Sequence, residues 1–179
     1  MSAKETRVVL LDAAETIISR DGVASLTLEA VAQEAGVSKG GLLYHFSGKR
    51  ALIAGLLSHQ METFQERLDA ELEREPDAPG RRLRAFIRAS AQTQPNPNYS
   101  AGLIASIATD PTLLDLVRRK RETWREWTHD DGIDPTTATL VHLSLDGWRL
   151  WRTFQLVPDS SHLPESVVER LLDLTRIAE

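Results

Sequence analysis

A chain of 179 residues with 41% hydrophobic and 26% charged side chains has the composition of a globular protein, large enough for one small and one larger domain. It has no cysteine, which excludes disulfides, thiolate metal sites and cysteine nucleophiles together. Its net charge of −5 comes wholly from residues 51–179, because residues 1–50 hold six Lys or Arg and six Asp or Glu.

Residues 3–20 predict an amphipathic helix, with Val8, Leu11 and Ile18 on one face and Leu10, Ala13 and Ile17 widening it. Arg20-Asp21-Gly22 ends it. The stretch Leu26–Phe46 then predicts two short helices joined by a tight turn. Thr27 is an N-cap with Glu29 in the first turn, Leu28, Val31, Ala32 and Ala35 keep helical spacing, and Gly36 supplies the left-handed stop. Ser38 caps the second helix, through Lys39, Gly40, Gly41, Leu42, Leu43, Tyr44 and His45. Helix, glycine turn and helix is the helix-turn-helix pattern, whose second helix enters a DNA major groove. Two adjacent glycines in a helix cost about 1 kcal/mol each against alanine. Packing alone does not call for both, whereas close backbone approach to DNA does. No acid lies between Ser38 and Met61, so Lys39, Lys49 and Arg50 form a local basic face on an acidic body.

A long helix follows from residue 49 to 75, capped by Ser47 or Gly48 and spanning roughly 40 Å at 1.5 Å per residue. Pro76–Gly80 breaks the chain, a helix is expected over 81–94, and Pro95-Asn96-Pro97-Asn98 breaks it again. A short helix carries Leu103, Ile104 and Ile107. Asp110-Pro111 and Asp134-Pro135 are both strong helix starts. The first opens a helix through Leu114, Val117, Arg121, Trp124 and Trp127 to Asp131-Gly132, and the second a helix over 136–157 ending at Pro158. The last helix begins near Pro164 and carries Val167, Val168, Leu171, Leu172 and Thr175. The expected fold is all-α with about nine helices: a three-helix helix-turn-helix domain over 1–48, then a helical ligand-binding and dimerisation domain over 49–179 with 49–75 as its connector.

Order and spacing together carry a resemblance. Residues 8–56, with Arg20-Asp21-Gly22, the stretch 26–46 and the segment GKRALI, resemble the N-terminal domain of the TetR family of bacterial transcription regulators. The segments AGLIASIATDP, DGIDP and LDGWRLW resemble one group of TetR-like C-terminal domains. The resemblance implies a homodimer that represses by occupying palindromic operator DNA and leaves when a small molecule binds the C-terminal domain. It implies that Thr27 and Lys49 contact phosphates, that Ser38, Lys39, Gly40, Gly41 and Leu43 face the groove, and that Tyr44 and His45 touch the backbone. Leu43 departs from the family, which usually has tyrosine there. A leucine can meet a thymine methyl but cannot hydrogen-bond a base edge, so Lys39 is the best candidate for a guanine contact and DNA shape supplies the rest.

All four tryptophans lie between Trp124 and Trp151. With Met61, Phe64, Phe86, Leu103 and Ile107 they suit an apolar or aromatic effector. Trp124, Trp127 and Trp148 are the pocket candidates, although spacing alone does not divide Trp148 and Trp151 between pocket and dimer, and Ser90, Ser106, Arg121 and His142 are the polar groups to orient a ligand. Arg121 can alternatively snorkel to water. The last two helices are more apolar than one core stripe needs, which marks Leu140, Gly147, Trp151, Phe154, Val168, Leu171, Leu172 and Thr175 as a dimer surface. Histidines are scattered, His129-Asp130-Asp131 sits at a helix end, and no phosphate loop or nucleophile elbow is visible. No enzyme activity, metal or cofactor is therefore expected. The alternative to a DNA-binding regulator is a helical adaptor that binds protein only. No signal peptide or span of about 20 apolar residues is seen, so a cytoplasmic location is expected.

Overall fold

The computed structural model describes residues 2–92, 95–157 and 162–176. Among them there is no strand, and the helices are α1 (Ala3–Asp21), α2 (Leu28–Glu34), α3 (Lys39–His45), α4 (Lys49–Arg74), α5 (Arg81–Ala91), α6 (Pro97–Thr109), α7 (Pro111–His129), α8 (Pro135–Thr153) and α9 (Glu165–Leu174), with a 3-10 turn at Val23–Ser25. The all-α expectation holds. No single helix among the described residues is long and apolar enough to cross a membrane.

Two boundaries differ from the sequence expectation. The helix expected to reach residue 157 stops at Thr153, because Phe154 leaves helical geometry and Gln155 takes a left-handed φ of 54°. Pro158, expected to end it, lies outside the described residues, as do residues 93 and 94 at the expected end of α5. Pro97, expected only as a breaker, opens α6: it sits at the first helical position after Asn96, whose side chain accepts a hydrogen bond from the Asn98 amide at 2.8 Å.

The chain forms two compact units, 1–60 with 95–117 and 61–94 with 118–179. In the first, α1 packs on α2 and α6. Its core holds Leu10, Leu11, Ile18, Leu26, Val31, Leu42, Phe46, Leu52 and Leu56. Two glycines set its close approaches. A Cβ on Gly55 would lie 2.6 Å from the Phe46 ring, and one on Gly102 would lie 2.8 Å from Ile18. Gly102 thus seats α6 against α1, and Asn98 Nδ2 donates to the Ser19 carbonyl at 3.2 Å. The first unit is therefore wider than residues 1–48.

The second unit buries Phe64, Leu68, Leu83, Phe86, Ile87, Trp124, Val141, Leu145, Leu171 and Leu172. Its α4–α5 and α7–α8 connections are tied together by Gly80 N to the Asp131 carbonyl and Leu83 N to Asp131 Oδ2, both 2.8 Å. Glu75 is buried and accepts from Arg84 Nε at 2.8 Å and Arg88 Nε at 2.7 Å. Burial pushes its carboxyl up, but the hydrogen bonds from Arg84 and Arg88 outweigh burial and hold it below the usual value.

Candidate functional site

The helix-turn-helix forms as its sequence dictates. Thr27 accepts from the Ala30 amide and Ser38 from the Gly41 amide, each at 3.1 Å, so both predicted N-caps are made. Gly36 takes φ 66°, and Val37 N donates to the Ala32 carbonyl at 2.9 Å, closing α2. Leu42 and Phe46 anchor the inner face of α3, which turns Leu43 and Tyr44 outward; Tyr44 is 81% exposed. His45 is half-buried and meets the Tyr44 ring edge-on at 5.1 Å.

The two glycines of α3 are not needed by the chain itself. A Cβ on Gly40 or Gly41 would meet only Ser38 Oγ, at 3.9 and 3.4 Å, which is ordinary contact. The fold would accept alanine at either, so the glycine pair leaves α3 slimmer than packing requires, on the face that carries Lys39, Leu43 and Tyr44.

The basic surround is partly neutralised from elsewhere in the sequence. Lys39 is hydrogen-bonded and ion-paired with Glu29, whose carboxyl this bond holds below the usual range. Arg50 grips Asp110 with two bonds, Nε to Oδ2 at 2.8 Å and Nη2 to Oδ1 at 3.1 Å. Asp110 also caps α7 by accepting from the Thr112 amide at 2.9 Å. Lys49 Nζ donates to the Val23 carbonyl at 3.2 Å. The acid-free run 38–61 gave no sign of these partners, which lie at 29 and 110.

The expected pocket residues divide between the units. Leu103 is buried and Ile107 half-buried in the first unit, whereas Met61, Phe64, Phe86, Ser90, Arg121, Trp124, Trp127, His142 and Trp148 belong to the second. There the rings form a connected cluster. Phe64 meets Trp124 with centroids 4.7 Å apart and Phe86 at 5.4 Å, and Phe86 meets the His142 ring at 4.6 Å. Trp124 Nε1 donates to Gln65 Oε1 at 2.8 Å, and Lys120 Nζ lies 5.1 Å from the Trp124 ring centroid. Trp148 packs partly buried on this core, with its Nε1 buried and without an acceptor among the described residues.

His142 Nε2 lies 2.7 Å from Thr128 Oγ1, and that hydroxyl can spend its one proton on the Trp124 carbonyl at 2.9 Å. The imidazole is donor or acceptor in this contact according to its tautomer. Burial holds its pKa down to about 4, the arginines Arg121 and Arg125 adding to this and Asp146 opposing it, so it is neutral at pH 7. Arg121, expected either to orient a ligand or to reach water, is half-buried and bonded to Asp146.

The expected dimer surface needs correction. Leu171, Leu172 and Thr175 are buried within one chain, Thr175 fully, because Gly80 and the α5 side of the core close over that face of α9. Val168 is half-buried on the same core. Leu140, Trp151 and Phe154 are exposed, and a Cβ on Gly147 would meet nothing within 4 Å. Five further apolar residues of this unit are exposed: Leu143, Leu150, Leu156, Val167 and Leu174. The signal was present in the spacing. Residues 140, 143, 147, 150 and 154 recur at intervals of three and four, the seam of a helix that packs along another helix.

Comparison with known proteins agrees with this architecture. Residues 10–56 match the model of bacterial regulatory proteins of the tetR family, and residues 80–176 match that of the tetracyclin repressor-like C-terminal domain. The HTH-type transcriptional regulator TtgR of Pseudomonas putida is 41% identical over 61 residues, which cover 34% of this chain and 29% of TtgR. That match is thus confined to less than a third of the relative's length. A putative transcriptional regulator of Pseudomonas aeruginosa PAO1 shares the fold over 97% of this chain and 91% of its own, with a TM-score of 0.78 at 18% identity. The multidrug binding protein EbrR, solved with imidazole, is 26% identical with a TM-score of 0.63, covering 97% of this chain and 96% of that one. With both domain models matched in order, and the second alone covering more than half its length, the chain belongs to the TetR family of transcriptional regulators.

Proposed function

We propose that this regulator is a repressor that binds a palindromic operator as a homodimer and is released by a small effector with an aromatic or apolar body. The observation that carries the DNA side is α3: a capped helix with an exposed Leu43 and Tyr44 and a glycine pair that internal packing does not use. In this reading Ser38, Lys39, Gly40, Gly41 and Leu43 face the groove, Thr27 and Lys49 meet phosphates, and Tyr44 and His45 lie along the backbone. Lys39 exchanges Glu29 for a base edge, an inexpensive change because both side chains are more than half exposed. The 3-4 seam of exposed apolar residues on α8 supports the dimer, since such a stripe is unusual on a monomer. The connected rings of the second unit support the effector's character, and EbrR, a multidrug binding protein of similar fold, supports it further.

The test is binding of the purified protein to duplex DNA from its own gene neighbourhood across a range of salt. The reading predicts a sequence-preferring complex with two protected half-sites, about 10 base pairs between centres, a steep salt slope, and loss of the complex on adding effector. Absence of any preferred duplex at low salt would instead favour a protein-binding adaptor.

A further inference from the structure

Among the described residues, the helix-turn-helix carries one acid that reaches its second helix. Glu29 stands in the first turn of α2, and its carboxylate is hydrogen-bonded to Nζ of Lys39, the residue that opens α3. The other acid of α2, Glu34, turns instead to Arg20 of α1, 3.4 Å away. The Glu29 and Lys39 side chains are 65% and 58% exposed, so an ammonium and a carboxylate lie side by side on an open face. The carboxylate is charged at neutral pH, because the Lys39 bond, the Glu29 amide and the Lys39 charge together hold it below its usual range.

An acid on a face that meets DNA calls for a cause. Negative charge does favour a helix N-terminus. Thr27 already caps α2, however, by accepting from the Ala30 amide at 3.1 Å, and the same negative charge repels phosphates. When Lys39 turns from Glu29 to a guanine, the carboxylate is left on the same face with acceptors only. Guanine N7 and O6, adenine N7 and thymine O4 are acceptors too and repel it, whereas the cytosine amino group is the donor that a carboxylate pairs with. In a G·C pair the guanine acceptors adjoin that amino group in the major groove. An A·T pair offers the lysine one acceptor fewer on its purine and sets thymine O4 beside the amino group. A neighbouring ammonium and carboxylate therefore match the edge of a G·C pair.

We propose that Glu29 is a specificity-determining residue of the operator contact: it accepts from a cytosine amino group beside the guanine that Lys39 reads, so that the two side chains recognise a G·C pair together. This rests on the DNA-binding reading above and adds to it a base contact from α2.

The test uses the full-length protein and its preferred duplex, with affinity read by fluorescence anisotropy at fixed salt. Each cytosine of the two half-sites is replaced in turn by pyrimidinone, which keeps the ring and lacks the amino group. The wild-type protein is expected to lose about tenfold or more in affinity at one such position, the usual cost of a missing base contact. E29A should lose nothing further there, because the acceptor is already gone. E29Q should move the preference at that position from cytosine towards adenine, the base that glutamine pairs with. A carboxylate that only steadies α2 would change affinity for all duplexes by one factor and leave every base preference in place. That result, or tolerance of pyrimidinone by the wild-type protein at every cytosine, would overturn the proposal while leaving DNA binding intact. Circular dichroism checks that the variants keep their helices; should they unfold, the pyrimidinone series on the wild-type protein decides alone. Absence of any preferred duplex at low salt would overturn the DNA-binding reading and this contact with it.

Discussion

The two units solve different problems with different materials. The first builds its proposed reading face from backbone and caps: two short helices, each started by a hydroxyl side chain, a left-handed glycine between them, and two further glycines on the outward helix. Among its described residues it exposes no large apolar side chain apart from Leu43, Tyr44 and Leu114. The second unit works with side chains. It clusters Phe64, Phe86, Trp124 and His142, buries a carboxylate between two arginines, and leaves a row of leucines and a tryptophan open along α8, with Phe154 open just past its end. A surface meant for a phosphate backbone gains from being slim and regular, whereas one meant for effectors and partner helices gains from bulk.

The sharpest way to break that contrast is at α8. W151E should give a monomer by sedimentation at micromolar concentration and reduce operator affinity by about two orders of magnitude or more, because each half-site alone supplies only part of the binding energy. A W151E protein that stays dimeric would remove α8 from the interface. Next in size is the buried carboxylate. E75A leaves Arg84 without its carboxylate partner and should cost about 3 kcal/mol of unfolding free energy in a denaturant titration. Because the folded-state value of Glu75 is lowered from 4.5, its contribution is present above that pH and is lost as pH falls through the folded value.

Acid also acts through His142. Its pKa of about 4 in the folded protein lies below the ordinary 6.5, so protonation favours the unfolded chain. Stability should decline as pH falls from 6.5 towards 4, and H142Q should flatten that part of the profile.

The first unit calls for a subtler test. G41A should raise stability by about 1 kcal/mol through helix propensity, since its Cβ finds only ordinary contact with Ser38 Oγ. The same change should weaken operator binding. A variant gaining both stability and affinity would deprive the glycine pair of its proposed role. Smallest is the lysine pair. K39A should relax sequence preference, whereas K49A should weaken all duplexes alike and lower the salt slope by about one unit.

The helices and their caps were legible in the sequence because they depend on neighbours: Thr27 with Ala30, Ser38 with Gly41, Asp134 with Thr137. The distant partners were not. Arg50 with Asp110 and Lys39 with Glu29 join residues that no local pattern connects. Burial on α9 is hidden from the sequence for a related reason. Leu171 and Leu172 look like any apolar helical pair, and only packing against the second core decides that they face inward while Val167 and Leu174 face out. The seam on α8 lay between these cases, readable in its 3-4 spacing once Leu143 and Leu150 are counted with Leu140, Gly147 and Phe154.

In the proposed complex α3 reads DNA twice, once per protomer. Hydroxyl-radical footprinting of the wild-type protein on its selected duplex tests it directly. Two protected patches related by a dyad, about 10 base pairs apart, are expected, both lost together in W151E. A single patch, or protection that persists unchanged in a monomeric W151E, would contradict it.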